Sequence, residues 1–270
     1  MHEKFSVLLS LYSKESPVYF DLSLDSISKQ KLLPDEVVII LDGPITADLN
    51  KVIYSWVDIL NIKIYSLDIN VGLSAALNYG LSKCKFELVA RMDTDDICLP
   101  DRFLKQVDLM SNNPSIDICG SWANDIDEYG TFLRLRTVPC DNRTIIRLIW
   151  SCPIIHPSVI FRKSKIERIG SYNVDAPLRQ DDYELWLRAA SNGLVFSNIP
   201  EALINYRYPI SYYGKNTIRV GLNRFKLGVP YVWKYDRRFF SVIAIFYPIV
   251  RPLIPIFIIN IISKFDPRRK

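Results

Sequence analysis

Three carboxylates crowd into four positions of the stretch VARMDTDDICLPDRF, residues 89–103. Asp93, Asp95 and Asp96 directly follow an apolar segment and precede Pro100, so they lie in a loop between a predicted strand and a predicted helix. Like charges this close repel one another unless a cation or hydrogen-bond donors offset them. Mg²⁺ and Mn²⁺ prefer oxygen ligands and commonly bind carboxylates together with substrate phosphates. The spacing of Asp93 and Asp95 therefore predicts a divalent-cation site.

Strand-like and helix-like segments alternate along the first half of the chain. Strands are predicted at 5–12, 36–43, 62–67 and 86–92, and helices at 17–30, 47–60, 73–84 and 101–113. This alternation predicts an α/β fold with a mainly parallel central sheet flanked by helices, in which ligands bind beyond the carboxyl ends of the strands. Glu15, Asp42 and the acids at 93–96 follow three of these strands. They indicate a shared site, with ordinary polar loops as the alternative.

The pattern is less regular after about residue 115. Further strands are predicted at 116–122 and 157–163, and alternating polar and apolar residues at 131–138 predict a half-exposed antiparallel strand. A helix is predicted at 180–193, where a run of acids precedes apolar residues at helical spacing.

Composition and motif content exclude several classes of protein. The chain has 270 residues, 49% of them hydrophobic and 23% charged, which is typical of a globular protein. A net charge of +5 over this length does not indicate a nucleic-acid partner. Five widely spaced cysteines and two histidines argue against a disulfide framework or a zinc site. No signal-peptide pattern begins the sequence, so a reducing cytosolic compartment is expected, and neither a P-loop nor a G-x-G-x-x-G motif occurs.

Five segments resemble, in order, the motif blocks of family 2 glycosyltransferases. They are FSVLLSLYSKESPVYFDLSLDSISKQKLLPDEVVIILDGP, NVGLSAALNYGL, ARMDTDDICLPDRF, HPSVIFRK and RQDDYELWLRA. One D-x-D pair is a weak signal alone, but five ordered blocks at compatible spacing are specific. The resemblance spans about residues 5–208 and is greatest to bacterial members that build O-antigen and exopolysaccharide units. It implies a GT-A fold.

The resemblance also implies a nucleotide-sugar site around the strand ends. The segment after the first strand, with Tyr12 and Glu15, would border the nucleotide, and Asp42 would bind its base. Asn70 and Asn78 match a block that lies beside the donor. Two departures from the family pattern occur: residues 10–13 read SLYS where relatives often have Pro-x-Tyr-Asn, and no histidine follows Tyr206-Arg207. The missing histidine implies that the metal is held without a late-sequence ligand.

The same resemblance implies which residues bind the metal and which residue acts as the catalytic base. Asp95 matches the direct ligand of Mg²⁺ or Mn²⁺, and Asp93 matches the other member of the pair, nearer the ribose. Asp182, preceded by Asp181 where the family usually has Glu, matches the catalytic aspartate. Transfer to an alcohol needs a base near the acceptor hydroxyl and stabilisation of the departing diphosphate. One base and one metal, with no second nucleophile, suit a single displacement that inverts the anomeric centre. Asp181 and Glu184 are expected to raise the pKa of the base.

Several of these residues also have an ordinary structural interpretation. The acids at 181–182 are favoured at a helix N-terminus by the macrodipole, and Asp42 before Gly43 fits a turn. Arg91 can pair with the acidic cluster instead of touching substrate. His156 fits a loop histidine satisfied by the backbone. Trp122 and Trp186 fit core positions rather than sugar-stacking platforms.

The apolar segment at 239–265 is flanked on both sides by basic residues. It is long enough to span a bilayer, but Arg251 and the prolines around it interrupt it. A kinked pair of short helices lying in the cytoplasmic leaflet is predicted, and packing on the catalytic domain or a second subunit is the alternative. The predicted organisation is a catalytic domain at 1–210 and a membrane-associating tail at 211–270.

These observations predict a metal-dependent inverting hexosyltransferase at the cytoplasmic face of the bacterial inner membrane. A UDP-sugar is the expected donor, and a saccharide on undecaprenyl diphosphate is the expected acceptor, in surface polysaccharide synthesis. One alternative is a sugar-phosphate nucleotidylyltransferase, although SLYSKES lacks the Gly- and Arg-rich signature expected after its first strand. The other is a catalytically inactive membrane scaffold that only binds nucleotide sugars.

Overall fold

The computed structural model of the chain describes residues 2–208, 217–255, 258–259 and 266. Its first half repeats a strand followed by a helix. The elements are β1 (Phe5–Leu11), α1 (Pro17–Ser28), β2 (Glu36–Leu41), α2 (Ala47–Trp56), β3 (Ile62–Ser66), α3 (Leu73–Lys83), β4 (Leu88–Arg91), β5 (Ile97–Cys98) and α4 (Arg102–Asn112). Every strand and helix predicted in this half is confirmed to within a few residues, and the short β5 is additional.

The second half contributes antiparallel strands and further helices. They are β6 (Ile118–Ile126), β7 (Phe132–Arg136), α5 (Asn142–Arg147), β8 (Ile160–Arg162), α6 (Lys163–Arg168), α7 (Asp181–Ser191), β9 (Phe196–Arg207), α8 (Ile218–Tyr235), α9 (Phe239–Ala244) and α10 (Tyr247–Val250). The predicted antiparallel strand at 131–138 is confirmed, because β7 pairs antiparallel with β6. The pattern predicts no strand at β9, since Pro200 and Glu201 interrupt it. The structure accommodates these two residues where the register with β6 shifts.

Within the described residues, nine strands form one sheet in the order β3-β2-β1-β4-β8-β6-β9-β5, with β7 beside β6. Strands β3, β2, β1 and β4 are parallel to one another, and β8 runs antiparallel to β4. The carboxyl ends of β1, β2 and β4 therefore lie side by side at one edge. This edge carries the loops that contain Tyr12, Asp42 and the acids at 93–96.

Helices cover both faces of the parallel part of the sheet. One buried apolar cluster joins α1, α2 and α4 to the strands through Phe20, Ile53 and Phe103. A second cluster joins α3 and α7 to the opposite face through Leu77 and Trp186. Full burial of a large apolar side chain stabilises the fold by about 1.5–3 kcal/mol. Helix α7 is thereby fixed on the same face as α3, with the first residues of both helices near the carboxyl edge.

Helix α8 packs beside α7, where the Tyr235 hydroxyl donates to the carbonyl of Ala190 at 3.3 Å. Arg224 of α8 donates from Nη2 to the carbonyl of Ser151 at 2.8 Å. Helix α10 approaches α8 so closely that a Cβ at Gly221 would lie 2.2 Å from the carbonyl oxygen of Pro248. The predicted domain boundary at residue 210 and parts of the predicted tail, 211–216, 256–257, 260–265 and 267–270, lie outside the described residues. No helix in the described ranges has the length and hydropathy needed to cross a membrane.

Candidate active site

The three acids after β4 form a compact cluster of oxygen ligands. One carboxylate oxygen from each of Asp93, Asp95 and Asp96 lies within 4.8 Å of the others. Asp96 is buried, and its Oδ2 has no hydrogen-bond partner among the described residues. Burial, and then the charge of Asp93, raises the pKa of Asp95 to about 6. This crowded set of hard oxygen donors fits Mg²⁺ or Mn²⁺, whose charge would offset the repulsion.

Two buried arginines hold the acidic cluster in place. Arg91 Nη2 lies 2.5 Å from Asp93 Oδ1, which confirms the alternative that Arg91 pairs with the acids. Arg207, at the end of β9, donates its backbone N–H to Asp96 Oδ1 at 2.8 Å and its Nε to the carbonyl of Asp95 at 2.9 Å. Sequence reasoning missed this role of Arg207 because its partners lie more than 100 residues earlier in the chain.

The loop after β1 borders the cluster, as its position predicts. The backbone N–H of Glu15 donates to the carbonyl of Tyr12 at 3.1 Å, which closes a tight turn. Tyr12 is 38% exposed. Burial raises the pKa of its hydroxyl, and the charges of Glu15 and Asp95 raise it further. The donor-binding role of Tyr12 and Glu15 stays a prediction.

Asp42 is buried at the end of β2, and its carboxylate organises the loop before α3. Oδ1 accepts the backbone N–H of Val71 at 2.7 Å, and Oδ2 accepts that of Gly72 at 3.1 Å and the side-chain amide of Asn70 at 2.9 Å. Gly43 has a φ of +83°, and a Cβ there would lie 2.6 Å from the backbone nitrogen of Asn70. Asp42 and Asn70 therefore already use these atoms to order the loop. Their contacts with the donor stay a prediction.

Asn78 is linked to a second loop rather than exposed beside the acids. Its Nδ2 donates to the carbonyl of Tyr172, and its Oδ1 accepts the backbone N–H of Tyr172, both at 2.8 Å. The Tyr172 hydroxyl in turn pairs with His156 Nε2 at 2.7 Å. His156 is therefore satisfied by a tyrosine hydroxyl instead of the backbone. Burial, reinforced by the charge of Arg91, holds the pKa of His156 well below its usual value.

The predicted base lies in the first turn of α7. Asp181 accepts the hydroxyl of Ser74 at 2.6 Å, which joins the N-termini of α7 and α3. Asp182 Oδ1 accepts the N–H of Tyr183 at 2.8 Å, and burial raises the pKa of Asp182. The predicted rise in this pKa is confirmed, with burial as the main cause. The charge of Asp181 raises the pKa further, whereas Glu184 is not among its causes and pairs with Arg188 at 2.8 Å.

Tyr172 is bonded to Asn78 of α3 and to His156, whose ring centroid lies 5.9 Å from that of Trp186 in α7. Burial raises the pKa of its hydroxyl, and the charges of Asp182 and Asp93 raise it further against the opposing charge of Arg91. The fold therefore brings the loop after β1, the acidic cluster and the start of α7 into one region. Trp186 is fully buried, as a core position requires, and half-buried Trp122 packs beside a small buried cluster and donates to the carbonyl of Val138.

Two similar bacterial proteins align with most of the chain. The chain is 42% identical over 204 residues to the amylovoran biosynthesis glycosyltransferase AmsE of Erwinia amylovora, covering 75% of this chain and 76% of that protein. It is 40% identical over 206 residues to UDP-Gal:alpha-D-GlcNAc-diphosphoundecaprenol beta-1,3-galactosyltransferase of Escherichia coli, covering 76% and 74%.

Solved structures and the family model agree with this similarity. Residues 1–349 of S. aureus TarS in complex with UDP-GlcNAc superpose with a TM-score of 0.65 at 18% identity, covering 92% of this chain and 71% of that one. The mannosyltransferase PcManGT from Pyrobaculum calidifontis, in complex with GDP-Man and Mn²⁺, gives 0.67 at 17% identity, covering 94% and 74%. Both confirm the predicted GT-A fold. The model of glycosyl transferase family 2 matches residues 6–170, and the chain belongs to this family.

Proposed function

We propose that this protein transfers a sugar, with inversion, from a UDP-sugar to a saccharide carried on undecaprenyl diphosphate. The observation that carries the proposal is the joint location of two kinds of carboxylate in one region. A cluster suited to a divalent cation follows β4, and a separate aspartate with a raised pKa lies at the start of α7. Inverting transfer to an alcohol requires this combination of a base and a charge-stabilising centre.

Asp95 and Asp93 would hold Mg²⁺ or Mn²⁺, and a carboxylate oxygen of buried Asp96 lies within 4.8 Å of theirs. When bound, the cation neutralises negative charge on the leaving diphosphate. The protein itself positions the ligands of the cation. Arg91 and Arg207 hold the acids, and the loop after β1 lies beside them. Tyr12 and Glu15 would contact the nucleotide there.

Asp182 would take the proton of the acceptor hydroxyl. Its environment suits this role, because burial raises the pKa and makes the carboxylate a stronger base than an exposed aspartate. The donor and acceptor classes are proposed from the Escherichia coli relative, whose name specifies UDP-Gal and a GlcNAc-diphosphoundecaprenol acceptor. The family match disfavours a sugar-phosphate nucleotidylyltransferase.

The purified full chain tests this proposal directly. With Mn²⁺ or Mg²⁺ present, we expect it to hydrolyse one of a panel of UDP-sugars slowly and to transfer the sugar faster to GlcNAc-diphosphoundecaprenol. Both reactions are expected to stop when EDTA removes the cation. Failure to bind any nucleoside diphosphate in the presence of either cation would overturn the proposal. Binding without turnover would favour the inactive scaffold instead.

We further propose that the C-terminal helices attach the protein to the cytoplasmic face of the inner membrane. Phe239 and Phe240 are 82% and 52% exposed, and Ile243 and Phe246 on the same segment are also exposed. Basic residues surround them, and Asp236 is the one acidic residue of 217–255. An apolar surface with basic flanks suits anionic headgroups, and attachment would bring the site to a lipid-linked acceptor.

Replacing Phe239 and Phe240 by serine is expected to release the protein from anionic vesicles. Burying one phenylalanine in lipid contributes about 1.5–3 kcal/mol, so the double variant should lose more than tenfold in vesicle binding. Co-sedimentation with vesicles containing phosphatidylglycerol measures the effect, with phosphatidylcholine vesicles for comparison. Phe132→Ser, at an exposed position of β7, serves as the matched control and should bind as the wild type does. Equal loss in the control would contradict this attachment surface.

A further inference from the structure

Arg224 of α8 lies against the first turn of α7, which carries the proposed base. Its guanidinium carbon is 4.9 Å from the centroid of the Tyr183 ring, and its Nη2 donates to the carbonyl of Ser151 at 2.8 Å. Tyr183 directly follows Asp182, and its hydroxyl donates to the carbonyl of Trp150. These contacts fix the guanidinium beside the turn that contains Asp182.

The positive charge of Arg224 forms no ion pair with a carboxylate of the described chain. Arg188 of α7 and Arg238, which follows α8, do form such pairs, with Glu184 and Asp236. Arg224 instead contacts a carbonyl and an aromatic ring. Within the described residues only its Nη2 is bonded, and the side chain is half-buried, so part of its surface is open to solvent. A partly desolvated cation of this kind suits an anionic ligand.

Arg224 also lies where the C-terminal helices meet the catalytic part of the chain. One turn before it, Gly221 packs against Pro248 of α10, and one turn after it, Gly228 leaves room for the Tyr183 hydroxyl. At 1.5 Å per residue, Arg224 is within about 6 Å of both glycines along the helix axis. Helices α9 and α10 carry the surface proposed to face the membrane. Arg224 therefore lies at the junction between that surface and the turn of the proposed base.

The proposed acceptor has its negative charge at the corresponding place. In GlcNAc-diphosphoundecaprenol, the acceptor named for the Escherichia coli relative, the diphosphate joins the sugar to the lipid. An acceptor hydroxyl at Asp182, with the lipid at α9 and α10, would bring the diphosphate to the junction between them. The charge of Arg224 also opposes the burial that raises the pKa of Asp182, which agrees with its position beside Tyr183.

We propose that Arg224 binds the diphosphate of the lipid-linked acceptor. This inference rests on the proposed function. A guanidinium presents a planar fork of N–H donors that matches phosphate oxygens, and such charge-assisted hydrogen bonds are about twice as strong as neutral ones. The diphosphate of the donor has a different proposed partner, the cation at Asp93 and Asp95. Arg224 therefore recognises the acceptor rather than the donor.

The test compares two acceptors in wild type and Arg224→Gln. One is GlcNAc-diphosphoundecaprenol, the other is GlcNAc joined directly to undecaprenol, and the donor is the UDP-sugar that wild type hydrolyses fastest. For wild type, loss of the diphosphate should lower kcat/KM by about 10- to 100-fold, as expected for hydrogen bonds to a charged group. Arg224→Gln should show a similar loss with the diphosphate acceptor, but less than about threefold with the phosphate-free acceptor.

Further measurements separate this role from binding of the donor or of membrane lipids. Donor hydrolysis without acceptor, and the affinity for UDP with Mn²⁺, should stay within about threefold of wild type in Arg224→Gln. Vesicles containing phosphatidylglycerol should bind this variant as they bind wild type, and a loss confined to vesicle binding would assign Arg224 to lipid headgroups instead. Lys226→Gln removes an equal charge from an exposed position of the same helix, so this matched control should leave both acceptors unchanged.

The wild type alone decides if Arg224→Gln does not fold or if neither acceptor is glycosylated. Farnesyl diphosphate should protect Arg224 from modification by phenylglyoxal, measured by mass spectrometry of the peptide that contains it. Farnesol should give no protection, and neither should UDP with Mn²⁺. Protection by UDP, or equal modification with farnesyl diphosphate and farnesol, would contradict recognition of the acceptor diphosphate.

Equal losses with both acceptors in Arg224→Gln would show that Arg224 only supports its contacts with Ser151 and Tyr183. That result would overturn the inference and leave the proposed function intact. If wild type hydrolyses no UDP-sugar and binds no UDP with either cation, the proposed function itself fails, and the inference about Arg224 fails with it.

Discussion

Asp182→Asn is expected to lower kcat for sugar transfer by about 10²–10⁴-fold while leaving UDP binding within about threefold of wild type. Asparagine has nearly the same shape and keeps an oxygen that can accept the N–H of Tyr183. It cannot take a proton, however, so only the step that deprotonates the acceptor hydroxyl is lost. Steady-state transfer to the lipid-linked acceptor measures kcat, and calorimetry with UDP and Mn²⁺ measures binding.

The neighbouring acid supplies the control for this substitution. Asp181→Asn removes an equal charge from the same helical turn, but the Asp181 carboxylate bonds to Ser74 rather than facing a reacting group. We expect a loss in kcat of less than about tenfold for Asp181→Asn, consistent with a contribution to positioning only. If Asp181→Asn were the inactive variant and Asp182→Asn the active one, the base would be assigned to the wrong residue.

The pH profile of the wild type adds a further readout on the same base. As the proposed base, Asp182 would have to be deprotonated to accept a proton, so we expect activity above its pKa and loss of activity as the pH falls through it. Because burial raises this pKa, the pH at which kcat begins to fall on acidification should be higher than the pKa of an exposed aspartate. The residual rate of Asp182→Asn should not show this decrease at low pH.

The sequence predicted which acids meet at the carboxyl edge of the sheet, because their meeting depends on a local pattern. Alternation of strands and helices implies a parallel sheet, and acids that follow neighbouring parallel strands must meet at one edge. Asp42 and Asp93 are examples: the strands before them flank β1 in the sheet, as the alternation requires. The position of Asp182 was available only from its motif, since the less regular pattern between α4 and α7 does not show where α7 lies relative to the sheet.

The sequence could not predict which polar atoms already form hydrogen bonds within the protein. Asn70 and Asn78 were expected beside the donor, yet their amides hold the loops at Asp42 and Tyr172. Such pairings join residues about 30 or 90 positions apart, and no spacing rule encodes them. The same limit applies to Arg207, which reaches the acidic cluster from the end of a strand that the pattern did not predict.

Asp95→Asn is expected to abolish metal-dependent donor binding and also to stabilise the metal-free protein. Loss of the proposed direct ligand should weaken Mn²⁺ binding in the presence of UDP by at least about 10²-fold, since a buried charge-assisted ligand is replaced by a neutral amide. Activity should fall to background with it. Calorimetric titration of Mn²⁺ into the protein with UDP, and the rate of donor hydrolysis, measure the two losses.

The stability effect follows from the sign of the pKa shift. Burial, followed by the charge of Asp93, raises the pKa of Asp95 to about 6, above its ordinary value of about 3.9. The native state therefore binds a proton at Asp95 more tightly than the unfolded state, and this group lowers stability as the pH rises through that window. In EDTA, Asp95→Asn should have a higher Tm than wild type at pH 8. The difference should shrink as the pH falls toward 4.

Asp101→Asn, a few residues further along the chain, is a control for which the opposite change in stability is expected. Its carboxylate pairs with Lys31 at 2.7 Å, which lowers the pKa of Asp101, so neutralising it should slightly decrease stability at pH 8. An Asp95→Asn variant that is less stable than wild type at pH 8 in EDTA would contradict the idea that the acids repel one another in the metal-free site. A more stable but inactive variant would mean that the protein retains an unfavourable carboxylate because the reaction needs its charge.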